Sequence, residues 1–179
     1  MAPHHAPSGR QAPHTAGSTQ RTALSAHRAG RPVTRRGDAI VLLGQARDLL
    51  IDAERSTPEM STPEMSPTQS LTAERCAAER FRLAHLAALR ISAAVFAERG
   101  RPAGTRRRLV SAWVLLRTVA PELAEWGVYF AAGAAARAAV EAGAHSAVSP
   151  RQADDQLRAA TDFLHVVEGY LGLLPALAS

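Results

Sequence analysis

The sequence contains no lysine, a single cysteine, and aromatic residues at only 4% of its 179 positions. One thiol, Cys76, excludes an internal disulfide framework and any metal site built from several cysteines. No apolar run approaches the roughly 20 residues a membrane-crossing helix needs, so no membrane association is expected. Thr34-Arg35-Arg36 precedes the apolar run Ala39 to Leu43 in the manner of a twin-arginine export signal, but Gly44 to Asp48 ends that run too early. The cytoplasm is therefore the expected compartment. A glycine-rich phosphate loop, a carboxylate pair and a zinc constellation are all missing from the sequence, so neither a cofactor nor a metal is expected.

What is present is mostly alanine, leucine and arginine. Hydrophobic residues make up 46%, and with so few aromatics they favour closely packed helix, which makes all-α the natural class. All 21 basic residues are arginine against 16 acids, a net charge of +5. That charge is unevenly spread. Residues 1 to 37 hold six arginines and no acid, whereas residues 38 to 179 hold 15 arginines against 16 acids. A basic tail thus precedes a nearly neutral body, and any long-range pull on nucleic acid resides in the tail or in local clusters.

Residues 1 to 37 are rich in Pro, Gly, Ser, Thr, His and Arg and too poor in large apolar residues to offset the entropy of ordering, so they read as a disordered basic tail. Four of the seven histidines (His4, His5, His14, His27) lie there, without i, i+4 spacing or a nearby acid or thiolate that would suit a metal. Residues 38 to 173 read as one helical domain, followed by a short tail at 174 to 179. Asp38 is a suitable cap for a first helix running to about Ser56, with Ile40, Leu43, Leu50 and Ala53 on its apolar side. A tandem repeat, STPEM at 56 to 60 and again at 61 to 65, then forms a proline-rich loop insert within 56 to 70. Lengthening a surface loop in this way costs little closure entropy.

The body is organised around Leu71 to Arg99. With Thr72 as cap and Gly100 as the residue that stops it, this stretch reads as a helix on which Phe81, Leu89, Val95 and Phe96 share an apolar arc. His85 and Ser92 lie near the middle of that arc, so the imidazole points inward, bonded to Ser92 or to a backbone carbonyl. A short helix spans Leu109 to Val119. Pro121 opens a fourth, with Leu123, Trp126, Phe130 and Gly133 on one stripe and Ala124, Val128, Ala131, Ala135 and Ala138 on a small-residue side that is either core or a homodimer seam, core being the more frequent answer. Ser149, Pro150 and Gln152 give the cleanest start signal, a capping box. On that last helix Leu157, Ala160, Leu164, Val167 and Leu171 face the core, and Asp154, Arg158, Thr161, His165 and Glu168 form a polar stripe.

The stretches RFRLAHLAALRISAA, SAWVLL, VAPELAEW and FAAGA, together with a terminal helix following ADD, resemble an actinobacterial family of HEPN domains (higher eukaryotes and prokaryotes nucleotide-binding) over about residues 38 to 173. The resemblance implies a HEPN-like antiparallel bundle of about five helices and a homodimer. Many such domains are metal-independent ribonucleases in which an Arg and a His, separated by four to six intervening residues on a late helix, hold the scissile phosphate and activate the ribose 2′-hydroxyl.

Two pairs invite comparison. Arg80 and His85 have the spacing but stand about 140° apart on a helix. Arg158 and His165 return to within about 20° of the same face some two turns apart, and they lie on the last helix, where the motif belongs. Ala159 replaces the polar residue that usually follows the arginine, and Asp154, Asp162 and Glu168 surround the pair with negative charge. Arg101, Arg106, Arg107 and Arg108 form the one basic cluster of the body, suited to an RNA or phosphate contact. The resulting expectation is a non-catalytic HEPN-like domain that binds a nucleotide, RNA or a protein partner. A metal-independent endoribonuclease built on Arg158 and His165 at a homodimer cleft is the first alternative, and a purely structural adaptor the second.

Overall fold

The computed structural model describes residues 31 to 57, 66 to 101 and 110 to 173. Residues 1 to 30, most of the STPEM repeat, Arg106, Arg107, Arg108 and residues 174 to 179 lie outside the described residues. Six α-helices run in the order α1 (Arg31–Arg55), α2 (Pro67–Arg99), α3 (Ala112–Val119), α4 (Ala124–Ala132), α5 (Ala134–Glu141) and α6 (Pro150–Tyr170), with 3-10 turns before α4 and α6. There is no strand among the described residues.

Helix α2 is the central rod. Its buried residues run from Ala77 to Phe96, and α6, α3 and α5 all pack on it. Alanine at positions 77, 78, 84, 87, 88 and 94 leaves no side-chain bulk to hold the neighbours off, so α6 lies along it closely. Helix α1 contributes Ala39, Leu43, Ala46 and Leu50 to the same core, a 4-3-4 spacing that keeps one face turned inward. Ile40, expected on that face, is 50% exposed. It lies a full 100° from Ala39, and Ala39 is the residue that takes the core register.

Helices α1 and α2 start earlier than the sequence expectation for a common reason: proline at the first positions of a helix is well tolerated, because those N–H groups have no partner within the helix. Helix α1 begins at Arg31, ahead of Asp38, with Pro32 in its first turn. The Arg36 guanidinium donates to the Gly172 carbonyl at 3.0 Å, fastening this end of α1 to the end of α6. Helix α2 begins at Pro67 and not after Thr72. Ser66 accepts from the Gln69 N–H while the Gln69 side chain accepts from the Ser66 N–H, a complete capping box. The end of α2 falls at Gly100, whose φ of 83° suits a residue without a Cβ.

The fourth helix is interrupted. Helix α4 stops at Gly133, whose N–H bonds back to Phe130 at 3.2 Å, and α5 continues from Ala134. Of the small-residue side, Val128, Ala131, Ala135 and Ala138 are exposed, contrary to the expectation of core, and Ala124 is half-buried. Leu123, Gly127, Phe130 and Val140 are buried instead. Helix α6 starts at the expected capping box, Ser149 with Gln152, and buries Ala153, Gln156, Ala160, Phe163, Leu164, Val167 and Glu168.

Two ion pairs tie α6 across the bundle. Glu168, with a side chain only 6% exposed, pairs with Arg47 of α1, and the enclosed Arg80 of α2 pairs with Asp154 and also donates to the Ser56 carbonyl at 2.9 Å.

Candidate functional site

The chamber around His85 and a groove between α4 and α6 both combine titratable side chains with shape. His85 is 1% exposed. Trp113 and Phe130 meet its ring edge-on at centroid distances of 5.2 and 6.2 Å, and Phe81 closes a third side at 6.3 Å. Its polar neighbour is Gln156 of α6, whose amide nitrogen lies 3.4 Å from Nδ1. An amide donating to Nδ1 leaves the ring proton on Nε2 and the imidazole neutral. Burial, with the Arg137 charge adding to it, lowers the pKa of His85 to about 4.

The polar partner is thus not Ser92. That hydroxyl, also buried, donates to the Ala88 carbonyl one turn back at 3.0 Å and is satisfied within α2. Gln156 was legible as the one polar residue in the 3-4 series of apolar positions 153, 156, 160, 163 and 167, a series that shares Ala160 and Val167 with the one read from the sequence. Gly133 closes the chamber from above. A Cβ there would stand 3.3 Å from Phe81 and 3.4 Å from His85 Nδ1, so the break between α4 and α5 lies where the imidazole needs room.

The second place is an open groove of about 640 Å³, lined by Glu125, Trp126 and Tyr129 of α4 and by Asp155, Arg158, Ala159 and Asp162 of α6. Its floor is rigid. Trp126 stacks on Phe163 at 5.2 Å and on Phe130 at 6.2 Å, and Tyr129 meets Phe130 edge-on at 5.2 Å. The Tyr129 hydroxyl donates to the Asp155 carbonyl at 3.3 Å and bridges the two helices. Burial and the neighbouring Asp155 raise the Tyr129 pKa above its ordinary value, so the phenol stays a donor. Three carboxylates face one guanidinium, and that guanidinium, Arg158, is held by Asp155 at 2.9 Å.

Against this geometry the sequence candidates separate. Arg158 belongs to the groove, whereas His165 is exposed two turns along α6 and is not part of the lining. Arg80 is committed to Asp154 and cannot serve His85, which its ring neighbours enclose. Arg101 is exposed, with its guanidinium 5.5 Å from the centre of the Phe96 ring. The groove's α4 wall went unnoticed in the sequence. Glu125 and Tyr129 stand at i, i+4, but only the packing of α4 beside α6 gives that spacing a meaning.

The model of the SAV_6107-like HEPN family matches residues 72 to 168, more than half of the chain. The chain belongs to this HEPN family. No curated protein and no solved structure matches it. The matched span of the HEPN domain starts within α2 and ends at Glu168 near the end of α6, so it contains both the His85 chamber and the groove. No group of three or more metal-ligating side chains comes together among the described residues, and no helix among them is long and apolar enough to cross a membrane.

Proposed function

We propose that this HEPN domain is a non-catalytic binding module. One observation supports the reading: within one chain Arg158 lines the groove while His165 lies outside its lining. Arg158 is spent on Asp155 in a groove whose remaining charge repels a phosphodiester, and His165 stands on the outer face of α6. The other histidine of the motif-like pair, His85, is walled off by aromatic rings. General base catalysis needs a histidine within reach of the 2′-hydroxyl, and an acid-rich cleft lowers the local concentration of RNA.

The homodimer belongs to the same proposal, with the exposed small-residue side at Val128, Ala131, Ala135 and Ala138 as its seam. The cytoplasm is the proposed compartment, which the single cysteine supports.

The test is an RNA cleavage assay in EDTA on wild type, Arg158→Ala and His165→Ala. All three should show the same background. Cleavage by wild type that His165→Ala abolishes overturns the reading in favour of an endoribonuclease. For RNA binding without cleavage, the expected contacts are Arg106, Arg107 and Arg108. Full salt-sensitive binding by their triple alanine variant would remove that patch from consideration.

A further inference from the structure

The α4–α6 groove carries an aromatic floor and an uncompensated negative rim, a combination that selects a cation. Of its three carboxylates, Asp155 is engaged by Arg158 at 2.9 Å and lies 3.9 Å from Arg151. Among the described residues, no arginine or histidine comes within 4.0 Å of Glu125 or Asp162.

The aromatic floor is unclaimed in the same way. Elsewhere the domain covers its rings with its own guanidinium groups: Arg99 lies 4.6 Å from the centre of the Tyr170 ring and Arg101 lies 5.5 Å from that of Phe96. Among the described residues no such cation covers Trp126 or Tyr129, although Arg158 shares their groove. Tyr129 is 43% exposed, and Trp126 is fixed by its stacking on Phe163.

We infer that the groove receives an arginine side chain from a basic segment of another protein, its guanidinium stacked on Trp126 and Tyr129 and paired with Glu125 and Asp162. This rests on the binding-module reading and names its partner. A planar guanidinium matches the site better than an ammonium, because it stacks on a ring face while its edge donates to carboxylates on either side. Arg158 sets the orientation. It occupies the Asp155 end of the groove, so the incoming cation is directed to the opposite rim. RNA is disfavoured here because its phosphates meet Glu125, Asp155 and Asp162 before any base reaches the rings.

The experiment titrates the full chain into a fluorescein-labelled hexa-arginine peptide and reads anisotropy at low and physiological salt. Hexa-citrulline, which keeps the shape and loses the charge, and a single-stranded RNA 12-mer are run beside it. Wild type should bind hexa-arginine in preference to both. Glu125→Gln with Asp162→Asn should weaken that binding about tenfold, from two exposed charge contacts on an aromatic floor. Asp38→Asn with Glu54→Gln, the same charge change away from the groove, should leave affinity within about twofold.

Equal binding of hexa-citrulline, an equal loss in the distal variant, or full affinity in the groove variant each overturns the inference. So does preferential binding of the RNA. A homodimer in sedimentation that only the groove variant dissociates would assign the groove to a second copy and overturn it as well. These outcomes are independent of the cleavage assay. Failure of the peptide leaves the non-catalytic reading standing, whereas cleavage lost in His165→Ala removes that reading whatever the peptide does.

Discussion

The side-chain amide nitrogen of Gln156 lies 3.4 Å from Nδ1 of His85, joining α6 to α2 within the buried interior of the bundle. The folded protein holds this imidazole neutral, with a pKa lowered from 6.5 to about 4, first by burial and then by the Arg137 charge. An unfolded chain takes up the proton near the ordinary value. Between those two limits the unfolded state therefore binds more protons than the folded one, and stability falls as the pH drops through that window. The loss is at most about 3 kcal/mol and does not grow below the folded-state pKa. His85→Phe combined with Gln156→Leu should remove this component. Urea midpoints measured from pH 7 to pH 4 on both proteins check it, and an unchanged pH slope in the double variant would show that His85 is not its source.

The sequence carried the burial of His85 but not the identity of its neighbour, and the difference is physical. Burial follows from the 3.6-residue period of α2 alone, because Phe81, Val95 and Phe96 mark the inward arc. The partner depends on how wide the inward face of α6 is: Ala160, Leu164 and Val167 are buried as read, with Leu157 and Leu171 partly buried at its margin, and the same face also takes in Gln156 and Phe163. Gly133 illustrates the same limit. Its break between α4 and α5 answers to Phe81 and His85, residues far away in the sequence, so helix propensity read along the chain joins the two helices. Of the groove, the α6 wall was legible through Arg158 and Asp162, while the α4 wall awaited the packing.

The start of α2 separates two otherwise plausible caps. Ser66 accepts from the Gln69 N–H at 3.3 Å, whereas Thr72 is inside the helix with its hydroxyl donating to the Thr68 carbonyl at 3.0 Å. Ser66→Ala should cost about 1 kcal/mol, the usual loss of an N-cap. Thr72→Ala should be neutral or slightly stabilising, since alanine is the better interior residue. Thermal denaturation of the two variants decides the matter, and the reverse order would return the helix start to Thr72.

Glu168 buries a carboxylate that, among the described residues, only Arg47 neutralises, while Arg47 itself keeps half of its side chain in water. Removing the arginine strands the enclosed charge, whereas removing the acid frees an exposed cation to hydrate. The two sides of one ion pair therefore predict different costs. Arg47→Ala should lose about 1–3 kcal/mol, less than a fully enclosed pair would, and Glu168→Gln about 1 kcal/mol or less. The order is the informative part. Denaturant midpoints that place Glu168→Gln below Arg47→Ala would mean that the carboxylate is hydrated and that this ion pair adds little to the docking of α1 on α6.

Two helical glycines test how closely the elements approach. At Gly44, within α1, an added Cβ meets nothing within 4 Å, so Gly44→Ala has only the gain in helix propensity, about 0.5–1 kcal/mol. At Gly127, within α4, the same carbon stands 3.1 Å from the Trp113 backbone oxygen and 3.0 Å from Arg117 Cγ. The arginine stem can swing aside, but the carbonyl belongs to the backbone of α3 and moves only with that helix. Gly127→Ala should therefore lose about 1–3 kcal/mol despite its better propensity, the usual range for overpacking. Because Trp113 also forms one wall around His85, the displacement of α3 should reach that chamber. Tryptophan fluorescence and thermal unfolding read the two effects together: Gly44→Ala should raise the midpoint without changing the spectrum, and Gly127→Ala should lower the midpoint and shift the emission to longer wavelength. A Gly127→Ala protein as stable as wild type would mean that α3 and α4 pack less tightly than 3.1 Å implies.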